Sequence, residues 1–388
     1  MIYLDNAATT KIYPEVLEAM MPYLTEEYGN AGTIYGLGRN AADAVMNARQ
    51  QVADFIGAMP EQIIFTSGGS EANNTALKGA APYLKAIGKK HVVVSAVEHD
   101  SVLKAAKSLE KAEEDFSIHT LGVNGRCVVK AQELQKIIGN KEVGFVSVMY
   151  VNNETGAVNP VREIGKMCRE RGILFHTDCV QAAGCQEINV DDIQCDFLSL
   201  SSHKIHGAKG AGALYVRDNS VLTPLICGGG EQEYGLRGGT ENVAGIVGFG
   251  KACELQKKYA KENLEAISSL RSLFYSQLTK ELRKFEMDNM MSVNGAYPGG
   301  SAKVLNLCFE GIDGETLLLM LDASGICVSA GSACRSYESE PSHVLLAMGV
   351  TPEKARSSVR VSFSAMNTVK EVMQSAEIIA RCVSALRG

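Results

Sequence analysis

Between about residues 62 and 216 the chain alternates apolar runs of strand length with amphipathic stretches of helical length. The runs 63–65, 92–95, 117–120, 145–149, 173–177, 197–200 and 212–216 predict strands, and 71–85, 101–109 and 161–171 predict helices between them. Alternation of this kind implies βαβ units and a mainly parallel sheet with helices on both faces. Past Glu241 the pattern changes to one long helical stretch, 244–285, rich in Lys and Glu. Strand-like 304–309 and 359–363 follow, with helices at 315–321 and 368–386, so the tail predicts a smaller α+β domain. The expected division is a large domain over residues 14–257 and a small one built from 1–13 with 258–388.

Composition narrows the function classes. The 388 residues are 46% hydrophobic and 21% charged, as in an ordinary soluble globular protein. A net charge of −6 and the lack of a basic run argue against direct nucleic-acid binding. Apolar stretches such as 143–151 are strand-sized, and Met1-Ile-Tyr-Leu-Asp5 has no signal-peptide pattern, so no membrane role and a cytoplasmic location are expected. The eleven cysteines are scattered and never form Cys-x-x-Cys, which disfavours a disulfide scaffold or a zinc ribbon. Most lie in apolar runs. Cys334 differs, because it sits in Ser329-Ala-Gly-Ser-Ala-Cys334, a segment of small residues with the signature of a mobile loop (about 329–341), next to Arg335, whose charge favours the thiolate.

The chemistry gathers at predicted strand ends. Lys204 follows 197–200, and Asp178 closes 173–177; in α/β sheets ligands sit outside the carboxyl ends of strands, so both can reach one molecule. A lysine to form an imine and an acid to pair with a pyridinium nitrogen is the pattern of a pyridoxal phosphate (PLP) site. Taken alone, Lys204 also fits a surface lysine and Asp178 a helix cap. Phe65-Thr-Ser-Gly-Gly-Ser-Glu-Ala-Asn-Asn74 offers backbone N–H groups to a phosphate, with Gly69 and Ser70 at its centre, although the same glycines fit a tight turn. It has neither Walker A nor dinucleotide spacing. His99 suits ring stacking and proton transfer, or a helix entry. Asn153 and Gln181 add amides at the same edge. His203 and His206 flank Lys204, but no motif places a third ligand, so no metal is expected.

In order along the chain, Tyr3-Leu-Asp-Asn-Ala-Ala-Thr-Thr10, Thr-Ser-Gly-Gly-Ser-Glu, Glu98-His99, Val151-Asn-Asn-Glu-Thr-Gly156, His176-Thr-Asp-Cys-Val-Gln181, Ser201-Ser-His-Lys-Ile-His-Gly207, Leu236-Arg-Gly-Gly-Thr-Glu-Asn242, Ser329-Ala-Gly-Ser-Ala-Cys334 and Ser357-Ser-Val-Arg-Val-Ser362 resemble the cysteine desulfurases of the NifS/IscS type. That resemblance covers nearly the whole chain and implies a fold-type I PLP-dependent transferase of the class-V aminotransferase family. It implies that Lys204 binds PLP covalently, Asp178 pairs with the ring nitrogen, Gln181 and Asn153 face the ring hydroxyl, and His99 stacks and moves protons. Gly69, Ser70, Ser201 and His203 would hold the phosphate, joined by Thr240 from the other subunit of a homodimer. Arg360, with Asn153, would bind the carboxylate of L-cysteine, and Cys334 would take the sulfur as a persulfide. The implied partner is a sulfur-acceptor protein such as an iron–sulfur scaffold, for cluster assembly, with tRNA thiolation or DNA phosphorothioation as other destinations.

Two segments depart from the family pattern: Gly29-Asn-Ala-Gly-Thr-Ile-Tyr35, and Ser364-Ala-Met366 after the arginine strand. Neither removes a residue of the expected chemistry. Rival readings are another fold-type I enzyme (an aminotransferase, selenocysteine lyase or kynureninase-like enzyme) and a catalytically idle scaffold. Cys334 separates the desulfurase from the first group, and the presence of Lys204, Asp178 and Cys334 together separates it from the second.

Overall fold

The computed structural model describes residues 1–112, 116–139, 142–228, 230–330 and 340–388, so Cys334 and most of its loop lie outside the described residues. Strand β1 is Ile2–Tyr3. A seven-stranded sheet follows, made of β2 (Ile63–Thr66), β3 (His91–Ser95), β4 (Ser117–Leu121), β5 (Val143–Ser147), β6 (Leu174–Asp178), β7 (Phe197–Ser201) and β8 (Gly212–Val216). Their order is β2-β8-β7-β6-β5-β3-β4. Strand β8 is antiparallel to both its neighbours and every other pairing is parallel. Six strands therefore deliver their carboxyl ends to one edge.

The strands form because apolar residues occupy both faces of the pleat. Ile63, Phe65, Val93, Val146, Phe175 and Leu198 enter one core, where helices Gly36–Ile56 and Val243–Lys258 contribute Val45, Val52 and Phe249. Their neighbours Ile64, Val92, Val94, Phe145 and Phe197 enter the other, under helices Gly69–Ala86 and Asp100–Ala112. A second sheet, β12-β10-β9, is antiparallel: β9 is Met291–Asn294, β10 Val304–Phe309 and β12 Ser358–Ser362. It builds a separate core with helices Ala260–Arg283, Gly314–Ala323 and Val369–Arg387. Strand β11 (Ile326–Cys327) pairs with β1. From β1 the chain runs along β12, with the Ala7 N–H on Ser362 Oγ at 2.8 Å, and on toward the large sheet's carboxyl edge.

Three sequence expectations change. The single helix 244–285 is two helices broken at Tyr259, where φ is −110° and ψ 20°. The first half buries Ile246, Phe249 and Cys253 in the large sheet's core, and the second buries Ile267, Phe274 and Leu278 in the small one. One straight cylinder cannot serve both. Strand β5 is Val143–Ser147, shifted two residues back from the expected 145–149; residues 148–151 stay as buried as the strand, so the apolar run continues past the end of the ladder. Helices Pro14–Thr25 and Gly36–Ile56 were hidden by Pro22 and by the opening Gly36 and Gly38. No helix among the described residues is long and apolar enough to cross a membrane.

Candidate active site

A cleft opens where β2, β3, β5, β6 and β7 end, and its wall includes Gly69, Ser70, His99, Asn153, Asp178, Gln181, Ser201, His203, Lys204 and Arg360. Asp178 is the last residue of β6 and is buried. Its Oδ1 accepts the Val180 N–H at 2.9 Å, and its Oδ2 accepts from Asn73 Nδ2 at 2.8 Å. The same amide nitrogen donates to Ser101 Oγ at 2.9 Å, and that oxygen lies 2.8 Å from His99 Nδ1. Because Nδ1 also accepts the Ser101 backbone N–H at 3.1 Å, the ring proton of neutral His99 belongs on Nε2. Asn73 thus ties the acid to the imidazole. Sequence reasoning passed over it, although it stands four residues after Gly69 on the same helical face, which is the signal that finds it.

Lys204 ends the short turn Ser202–Lys204 that follows β7. Its Nζ donates to the carbonyls of Ala7 and Ala8 at 2.7 and 2.6 Å, so the N-terminal segment holds the amine. Gln181 Nε2 donates to the same Ala7 carbonyl at 2.8 Å, while its Oε1 is buried without a partner. On the opposite wall Arg360, in β12, is 1% exposed; Nη2 meets Asp5 Oδ1 at 2.8 Å, Nη1 meets the Asn153 carbonyl at 3.0 Å, and Nε has no partner. Asp5 and the alanine carbonyls are further positions that sequence reasoning did not assign.

The cleft floor is a helix N-terminus. Gly68 precedes helix Gly69–Ala86 with φ 155°, and it supplies no side-chain cap. First-turn N–H groups at Gly69 and Ser70 therefore face a place suited to an anion. Gly212 makes room for this turn, since a Cβ there would lie 2.6 Å from Gly68 Cα. Burial pushes His203 down to about 4, helped by Lys204, Lys209 and Lys303, so the ring is neutral at pH 7. Its Nδ1 is 3.1 Å from Thr9 Oγ1. Thr240 is not brought to this cleft; it is exposed and lines a separate cavity with Thr66, Ser67 and Arg237.

Glu98, beside His99, is fully buried, and burial lifts its carboxyl to about 8 against the Ser95 hydroxyl and the Met149 N–H, with Asp178 adding to the rise. Among the described residues, hydrogen bonds join this region to the segment from residue 340 onward. Ser342 Oγ donates to Glu154 Oε2, and His343 Nε2 lies 3.1 Å from the Glu98 carbonyl.

A mainly parallel sheet with a lysine and an aspartate converging at its carboxyl edge defines a fold-type I PLP-dependent enzyme. Residues 2–374 match the class-V aminotransferase family model. Over 386 residues the chain is 41% identical to cysteine desulfurase IscS of Clostridium botulinum, covering 100% of this chain and 95% of that one. A solved structure described as a NifS-like protein superposes with a TM-score of 0.90 at 34% identity, covering 99% of this chain and 100% of that one. SspA in complex with cysteine gives a TM-score of 0.79 at 34% identity, covering 95% and 100%. The chain belongs to the class-V aminotransferase family.

The cofactor of that family is PLP, and the cleft suits it. Gln181 Oε1 and Asn73 Oδ1 are buried acceptors without partners, which a flat ring bearing a hydroxyl and an N–H can use. The uncapped helix start suits the phosphate, and Lys204 lines the same cleft.

Proposed function

We propose that this chain is a cysteine desulfurase that converts L-cysteine to L-alanine and captures the sulfur on Cys334 as a persulfide, for delivery to an acceptor protein in iron–sulfur cluster assembly. The observation that carries the reading is the convergence of Lys204, Asp178, His99 and Arg360 on one cleft. Asp178 would hold the ring nitrogen protonated, Lys204 would anchor the cofactor, and His99 would lie against the ring. Gly69, Ser70, Ser201 and His203 would hold the phosphate, Gln181 and Asn153 would face the ring hydroxyl, and Arg360 would bind the substrate carboxylate. When bound, PLP withdraws electrons and acidifies the α-carbon of the amino acid. Lys204 Nζ then accepts the α-proton, and His99 Nε2 exchanges protons at the cleft mouth.

The sulfur step balances as cysteine plus one enzyme thiol giving alanine plus one enzyme persulfide. The Cβ–S bond of cysteine breaks, a bond forms from that sulfur to Cys334 Sγ, and a proton takes the place of sulfur on the β-carbon. Arg335 next in sequence favours the thiolate that must attack. Thr240, exposed and outside the lining of this chain's own cleft, would reach the cleft of a second subunit in a homodimer. Residues 14–257 and 1–13 with 258–388 would form the two domains, a division supported by the helix break at Tyr259.

The test supplies L-cysteine to purified protein carrying PLP and measures alanine. Wild type should make alanine, while Lys204→Ala should lose both the visible absorbance of the bound cofactor and the product, with the melting temperature little changed. Undiminished alanine from Lys204→Ala would end this reading.

A further inference from the structure

We propose that Lys303, as a buried ammonium, is a positioning residue for Lys204: it braces the turn carrying the reactive lysine and makes that lysine's nitrogen easier to deprotonate. The inference rests on the reading of Lys204 as the residue that binds PLP.

Lys303 stands immediately before β10, on the small sheet's side of the cleft, and is 5% exposed. Its backbone is fixed at both groups, with its N–H on Ser301 Oγ at 3.2 Å and its carbonyl accepting the Phe363 N–H at 2.8 Å. From that fixed point Nζ donates to the backbone carbonyl of Lys204 at 2.8 Å. The side chain therefore spans from the small sheet to the turn Ser202–Lys204. Behind Lys204 it lines a cavity of about 20 Å³ with Tyr13, His206 and Gln256, room for a single water that its remaining N–H groups can bind.

A buried cation is costly unless paired, and Lys303 makes no ion pair among the described residues. The titratable and charged groups facing it are Lys204, Cys185, Arg360, His203, His206 and Tyr13. Burial lowers the Lys303 amine from its ordinary range, Cys185 opposes that, and Arg360 adds to it. His203 and His206 are both pushed down to about 4, chiefly by burial, and so are neutral at pH 7. Arg360 has Asp5 as its counter-ion. As an ammonium, Lys303 places beside the Lys204 turn a positive charge with no ion-pair partner among the described residues, and Lys209 adds a second cation near His203. The Ala7 and Ala8 carbonyls favour a proton on Lys204 Nζ, whereas a neighbouring cation in a water-poor site works the other way. A base that must shed and regain its proton at every turnover gains from that balance.

The experiment titrates the visible absorbance of PLP bound to Lys204 in the full-length protein, across neutral to alkaline pH, beside melting curves. Lys303→Met and Lys303→Gln should both raise the midpoint by about one pH unit, a roughly tenfold gain in proton affinity. Lys303→Arg, which keeps the charge, should hold the wild-type midpoint. Lys303→Gln can still donate to the carbonyl and should lose less melting temperature than Lys303→Met. If Lys303→Met fails to fold, Lys303→Gln carries the test. Neutral variants whose midpoint stays at the wild-type value, whatever their melting temperature, would overturn the proposal and leave Lys303 a mechanical brace. Borohydride reduction with peptide mapping separates the two readings: an adduct on a residue other than Lys204 would sink the functional assignment itself.

Discussion

Glu98 shows how far one residue's surroundings set its charge. Its carboxyl rises from an ordinary 4.5 to about 8 because it is fully buried, so the folded protein keeps a proton that the unfolded chain gives up. Between pH 4.5 and about 8 the folded state binds more protons, and stability falls as pH rises through that window, then levels off. Glu98→Gln should remove this slope: its melting temperature relative to wild type should climb from acid to neutral pH. A difference that stays constant with pH would show that Glu98 is ionised in the folded protein. At this scale Lys204 and Asp178 were legible as candidates only through the motifs that accompany them, since either alone also fits an ordinary surface or capping role at the end of an apolar run. Asn73, Asp5 and Lys303 were not, since their meaning lies in partners 105, 355 and 99 residues away.

The elements were legible wherever both faces of a strand are buried, and least legible where burial outlasts the strand, as at residues 148–151. Helix Val369–Arg387 declares itself through its capping box, in which Thr368 Oγ1 accepts the Glu371 N–H and Glu371 reaches back to the Thr368 N–H. The break at Tyr259 carried no such signal, because lysine and glutamate continue on both sides while the buried face switches from one sheet to the other. The helix start at Gly69 depends on a close crossing of backbones that only a small residue permits. Gly212→Ala should push Gly68 away, costing about 1–3 kcal/mol of stability and weakening PLP binding more than tenfold. Denaturant midpoints and cofactor titration check both, and unchanged PLP affinity would show that this turn does not hold the phosphate.

The whole molecule places its chemistry where two separately cored sheets meet. Arg360 belongs to the small sheet's β12, yet it bonds the Asn153 carbonyl beyond β5 of the large sheet and Asp5 on the N-terminal segment between them. The substrate-binding role proposed for Arg360 therefore requires both halves in register. Arg360→Lys keeps the charge but loses the planar fork, and it should raise KM for cysteine by about tenfold to a hundredfold while kcat changes less. An unaltered KM would move the carboxylate site elsewhere. The mainly parallel sheet was readable from alternation and most of the cleft from the family resemblance of its motifs, whereas the meeting of the halves exists only in three dimensions. The central claim is that carbon chemistry at Lys204 ends with sulfur on Cys334. Its most direct test is a single turnover with L-cysteine, followed by quantification of alanine and mass analysis of the peptide that contains Cys334. The account predicts one alanine for each persulfide on that cysteine, with Cys334→Ala giving neither the adduct nor alanine at the wild-type rate. Alanine formed at full rate by Cys334→Ala, or a persulfide found on a different cysteine, would contradict it.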